Sequence, residues 1–136
     1  MTQLPVVVGW CELSPYREVH QLRVRVIELL EKHPLADLEL PGQTLERRLW
    51  VTAHAAARSV SEAMRAPTPR DQVAHLRDTD FALSVLRGLA FDAFELADWP
   101  AEAFDEVAVG VANALREVLR CEVSVRRHAR LLVEAA

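Results

Sequence analysis

The chain is poor in the residues that usually announce chemistry. Its two cysteines, Cys11 and Cys121, stand far apart and in no metal-ligand spacing, so they read as packing thiols rather than as a disulfide pair or half of a zinc site. Four glycines, Gly9, Gly42, Gly88 and Gly110, are too scattered to build a phosphate-cradling loop. The sequence contains no Gly-x-Ser-x-Gly, no His-Glu-x-x-His and no pair of Glu-x-x-His ligands. Its five histidines sit singly, and the Asp71/His75 pair at i,i+4 reads as a surface salt bridge rather than a metal edge. A non-enzymatic protein without metal or cofactor is therefore expected. Uncharged apolar runs fall far short of the ~20 residues that cross a bilayer, so no membrane partner is expected either. The stretch Met1–Val8 has no basic region before its short valine run, which excludes a secretory signal and points to the cytoplasm.

What is present is a core. In 136 residues, 51% are hydrophobic and 26% charged, which suits one globular domain over 1–136. Lys32 is the only lysine, so the positive charge is carried by arginine. The net charge of -4 argues against nucleic acid at first sight, because dedicated nucleic-acid binders show a basic footprint.

Proline maps the elements, since a helix interior expels it at a cost of about 3 kcal/mol. Pro15, Pro34, Pro41, Pro67, Pro69 and Pro100 leave four long stretches rich in Ala, Leu, Val, Arg and Glu. The first helix is expected from Pro15 to Lys32 behind a Ser14 cap, with Val19, Leu22, Val26, Leu29 and Leu30 on one face. The second is expected from Gln43 to Arg65, with Leu45, Leu49, Thr52, Ala53, Ala56, Val60 and Met64 inward. Thr68, Pro69 and Asp71 sign the start of a third helix, which runs to Leu96 with Val73, Leu76, Leu83, Leu86, Ala90, Phe94 and Ala97 inward. A fourth follows Pro100 to Leu132 or beyond, with Phe104, Val107, Val111, Leu115, Val118, Leu119 and Val125 inward. Short links make neighbours antiparallel, so the expected fold is an all-α, up-and-down four-helix bundle with an N-terminal arm over 1–14 and a C-terminal extension over 123–136. Apolar residues beyond one face, such as Trp50, Phe81 and Phe91, predict a homo-oligomer.

Charge is unevenly placed. Residues 81–111 carry Arg87 against Asp92, Glu95, Asp98, Glu102, Asp105 and Glu106, whereas 112–136 carry five arginines against Glu117, Glu122 and Glu134. At 100° per residue, Arg47, His54, Arg58 and Arg65 fall within about 40° on the outward side of the second helix, and Arg116, Arg120, Arg127 and Arg130 within about 80° on that of the fourth. These seven arginines are the candidate contacts to RNA or DNA phosphates, and Arg126 and His128 add to the basic tail. Asp80 falls on the expected core stripe of the third helix, where a carboxylate needs a partner, with Arg48 one candidate, or a place at the bundle edge.

Two resemblances bear on function. Arg70-Asp71-Gln72-Val73-Ala74-His75 is similar to the Arg-x4-His motif of the HEPN ribonucleases, which would make Arg70 and His75 a cleavage pair. More of the chain is covered by Leu4-Pro5, Glu31-Lys32-His33-Pro34, Leu40-Pro41-Gly42-Gln43-Thr44-Leu45-Glu46-Arg47-Arg48-Leu49, Ser59-Val60-Ser61-Glu62-Ala63, Leu83-Ser84-Val85-Leu86-Arg87, Ala93-Phe94-Glu95-Leu96-Ala97 and Phe104. In order and spacing these segments resemble the bacterial four-helix-bundle family that includes proteins encoded in ribosomal RNA intervening sequences and the accessory variability determinant of diversity-generating retroelements. That resemblance implies a homopentamer that binds nucleic acid and a reverse transcriptase. The chain departs from the family in its acidic balance, in lacking a Gly-Gly-Trp-type ending and in continuing through Val123-Ser124-Val125-Arg126-Arg127-His128. A purely structural protein-binding module is the remaining reading.

Overall fold

Helix α1 spans Leu13–Lys32, α2 Leu45–Arg65, α3 Pro69–Leu96 and α4 Ala101–Ala135, in a computed structural model that describes residues 13–35, 39–40 and 42–135. The expected Leu4-Pro5 and Cys11 features, and Pro41, lie outside the described residues. Between α1 and α2, β1 (Glu39–Leu40) and β2 (Gln43–Thr44) pair antiparallel, with Glu39 opposite Thr44 and Leu40 opposite Gln43. Gly42 supplies the left-handed turn, at φ 88°.

The helix boundaries follow from local chemistry. Thr44 is extended and its hydroxyl accepts from the Arg47 N–H at 3.1 Å, so α2 begins at Leu45, two residues later than expected. Thr68 does the same for Asp71 N–H at 3.1 Å, and Pro69 opens α3 where its missing N–H costs nothing. Ser14 is not the cap of α1. The helix already runs from Leu13, and Pro15 is tolerated because the first turn's N–H groups have no intrahelical partner. The last helix runs past Leu132, as expected, so that residues 123–135 of the C-terminal extension continue α4.

The helices close a ring in which α1 packs on α2 and α4, and α3 on α2 and α4. Cross-helix pairs show that all four neighbours are antiparallel: His20 meets Ser61 and Arg23 meets His54, while Ser59 meets Thr79 and Glu62 meets His75. Likewise Arg77 meets Glu122 while Phe91 meets Phe104, and Leu22 abuts Gly110 while Arg25 meets Glu106. The protein is an up-and-down four-helix bundle.

Buried positions alternate at four and three residues along every helix: Pro15, Val19, Leu22, Val26 and Leu29; Leu49, Ala53, Ala56, Val60 and Ala63; Gln72, Leu76, Thr79, Leu83, Leu86, Ala90 and Ala93; Val107, Val111, Ala114, Val118, Cys121 and Val125. This is the knobs-into-holes spacing of a bundle. It corrects several expected core positions. Thr52, Met64, Val73, Phe104 and Leu115 are half-buried at the edges of the core, while Phe94 and Leu119 are exposed, because the inner stripe takes their smaller or polar neighbours Ala53, Ala63, Gln72, Ala93, Ala103, Ala114 and Val118 instead.

At the α3–α4 end, Trp99 is buried and its indole N–H donates to the His33 carbonyl at 3.0 Å, which ties this turn to the end of α1. Phe91, Phe94 and Phe104 cluster beside it with ring centroids 5.7 to 6.3 Å apart. Gly110 lets α1 approach α4 closely, since a Cβ there would lie 2.7 Å from Leu22 Cδ1.

Candidate nucleic-acid interface

Arg47, Arg58 and Arg65 are exposed on α2, as its periodicity predicts, and no ion pair engages them among the described residues. His54 does not belong with them. It is half-buried against α1, its Nδ1 3.5 Å from an Arg23 guanidinium nitrogen and its ring 4.0 Å from that of Trp50. Burial, and secondly the charge of Arg23, push its pKa below the usual histidine value. The same two causes lower His20, whose Nε2 lies 3.3 Å from the Ser61 hydroxyl and whose ring meets that of Tyr16 at 4.1 Å, tilted by 41°.

The α1–α2 face thus gathers Tyr16, His20 and Arg23 from one helix and Arg47, Trp50, His54, Arg58, Ser61 and Arg65 from the other. The acids of the two helices are divided. Glu28 lines the groove between α1 and α4, as does Glu18 together with Tyr16 and His20, and Glu62 lies 3.7 Å from His75 on the α3 side. Glu46 accepts from the Leu35 N–H at 3.3 Å at the end of α1, and Glu31 is exposed in the last turn of α1, so two carboxylates remain at the Trp50 end of this face. Arg23 is a second, half-buried rank of positive charge that the periodicity of α2 by itself gives no means to find.

The α4 stripe is weaker. Arg116, Arg120, Arg127 and Arg130 are all exposed, but Arg120 lies 3.6 Å from Glu117 and Arg116 donates to the Asn113 side chain at 3.1 Å. Exposed Leu119 and Val123 interleave with them, so this face is as much apolar as basic. It does not join the α2 stripe, because α2 and α4 lie across the ring from each other. Arg126 is exposed but paired with Glu122 at 2.8 Å, and His128 is half-buried.

Of the two expectations for Asp80, the structure takes the bundle edge: the residue is half-buried there, and no ion pair joins it to Arg48 among the described residues. The buried carboxylate is Glu122, held by Arg126 and by Arg77 at 3.5 Å. His75 turns to Glu62 rather than to Asp71. Arg70 lines a shallow cleft with Arg77 and Arg126 against α4, so the two residues of the Arg-x4-His motif face different helices.

Among the described residues no three His, Cys, Asp or Glu side chains converge to hold a metal ion, and no helix is long and apolar enough to cross a membrane. In comparisons by sequence and by structure, no family model, no curated protein and no solved structure matches the chain.

Proposed function

We propose that the protein is a non-enzymatic, oligomeric adaptor that holds the phosphate backbone of a nucleic acid on its α1–α2 face. One observation carries this reading. Arg23, Arg47, Arg58 and Arg65 share a surface on which no ion pair engages them among the described residues and from which Glu28 and Glu62 are turned away, with Glu31 and Glu46 at one end, so a chain of net charge -4 presents a local excess of positive charge there. The resemblance to the retroelement accessory proteins supports the same reading and names the protein partner it implies, a reverse transcriptase, with a homopentamer as the assembled form. Exposed Phe81, Leu96, Leu119 and Val123 offer apolar surface for such contacts.

Binding of RNA and DNA oligonucleotides across a salt series tests the proposal. Affinity falls steeply with salt, and the double substitution Arg47→Glu/Arg58→Glu weakens binding and lowers the logarithmic salt slope by about two, close to one per phosphate contact. Arg127→Glu/Arg130→Glu on α4 has a smaller effect. Binding that is absent at low salt, or indifferent to salt, overturns the reading.

A further inference from the structure

The α1–α2 face carries more than charge. On each helix an aromatic ring is backed by a histidine four residues on: Tyr16 by His20 and Trp50 by His54. Both aromatic residues remain partly exposed, at 38% and 43%, each with an imidazole against it, and Tyr16 also borders the α1–α4 groove. The imidazoles are biased to the neutral form by burial and by Arg23, so they back the rings without adding charge. Arg23 reaches across to His54, and its Nε and the His54 Nε2 are sealed from solvent without a hydrogen-bond partner among the described residues. Among the described residues no ion pair engages this half-buried guanidinium, and its terminal N–H groups are the ones that can donate to an anionic oxygen at the surface.

The spacing gives these groups an order. Antiparallel pairing of His20 with Ser61 and of Arg23 with His54 sets Trp50 level with the last turns of α1. At 1.5 Å per residue, Trp50 then lies roughly 20 Å along the face from Tyr16, with Arg23 about midway. We infer that the α1–α2 face takes single-stranded rather than duplex nucleic acid, with unpaired bases stacked on Trp50 and Tyr16 and an intervening phosphate held by Arg23. The inference rests on the nucleic-acid reading above and specifies the strand. In a duplex each base is covered by its neighbours and offers these rings no face, whereas an unpaired base of any identity does, which makes recognition tolerant of sequence.

The test compares an oligothymidylate of about twelve nucleotides with a duplex of the same length at one fixed salt, for the wild-type chain and for Trp50→Ala, Trp50→Phe and Arg47→Glu/Arg58→Glu. The single strand binds more tightly than the duplex. Trp50→Ala weakens single-strand binding about tenfold, with a much smaller effect on the duplex, and Trp50→Phe restores most of the loss. In a Trp10→Phe background Trp50 and the buried Trp99 both emit, and the oligothymidylate quenches the exposed Trp50 component, a change absent from Trp10→Phe/Trp50→Phe. Equal affinity for strand and duplex, with both lost in the arginine double variant, overturns this inference and leaves the nucleic-acid reading standing. Absence of salt-dependent binding to either removes both. Binding of polyglutamate as tight as that of the oligothymidylate also overturns it, since the face then recognises acidic peptide. Trp50 is a surface residue, and unchanged helical circular dichroism in each variant keeps the comparison valid.

Discussion

The hydroxyls of Ser59 and Thr79 lie 2.8 Å apart across the buried α2–α3 interface. Each also reaches back along its own helix, Ser59 to the Ala56 carbonyl at 3.1 Å and Thr79 to the His75 carbonyl at 2.9 Å. Two protons thus serve three short contacts, and neither hydroxyl is wasted. Replacing one side alone, by Ser59→Ala or Thr79→Val, destabilises the bundle by about 1 kcal/mol, whereas the double replacement costs less than the sum because no unsatisfied partner is left. A urea double-mutant cycle measures the coupling, and strict additivity contradicts it.

Gly88 and Gly110 are both helical but differ in their surroundings. A Cβ at Gly88 meets nothing within 4 Å, so Gly88→Ala stabilises by about 0.5–1 kcal/mol through helix propensity alone. Gly110→Ala gains the same propensity but drives its methyl into Leu22, and its benefit falls short. Adding Leu22→Ala closes the gap between the two glycine substitutions. Equal midpoint shifts for Gly88→Ala and Gly110→Ala in the wild-type background count against the close α1–α4 contact.

His20 and His54 set a pH dependence whose sign is fixed. Both have folded-state pKa values below 6.5, by burial first and by Arg23 second, so the unfolded chain takes up protons that the folded chain refuses. Their contribution to stability is complete above 6.5 and is lost as pH falls through their folded values. Denaturation midpoints measured from about pH 8 to pH 5 are expected to be level and then to drop. In His20→Gln/His54→Gln this drop is smaller.

Among the described residues, Asp98 is the non-glycine residue with positive φ, at 58°, just where α3 ends and Trp99 N–H returns to the Ala93 carbonyl at 3.1 Å. Aspartate tolerates this conformation, but a β-branched side chain does not. Asp98→Val lowers stability by about 1–2 kcal/mol, and Asp98→Gly does not. Thermal unfolding of the two variants separates backbone strain from loss of the carboxylate, because Asp98→Gly also removes the charge.

Much of the fold is legible before any coordinates. Proline at positions 15, 34, 67, 69 and 100 brackets the four helices, and the Thr68-Pro69-Asp71 start is found where it is read. The inner stripe of α3 is harder. Apolar residues surround that helix, including Phe81 at 72% exposure, and the buried set contains Gln72 and Thr79, so hydrophobicity alone misplaces the core toward Asp80. Thr79 is admitted because its hydroxyl bonds the His75 carbonyl of its own helix and also meets Ser59, and the second partner is a fact about another helix. The same limit applies to the candidate interface. Arg47, Arg58 and Arg65 follow from the period of α2, but a helical projection sets His54 beside Arg47 and says nothing of which edge meets α1. Arg23, Tyr16 and His20 enter only once the two helices are docked.

The alternation of buried positions at four and three residues constrains how the chain can change length. Excising one residue from the middle of α2 turns everything beyond it by about 100°, carrying Arg58 and Arg65 toward the core and Val60 toward solvent. Excising seven returns the pattern to phase within about 20°, with the helix about 10 Å shorter. Viable insertions and deletions in the helices therefore come in whole heptads, compensated on the antiparallel neighbours. Each such step moves Tyr16 and Trp50 along the bundle while leaving both on the same face, so the length of strand the face spans can change without redesign of its chemistry.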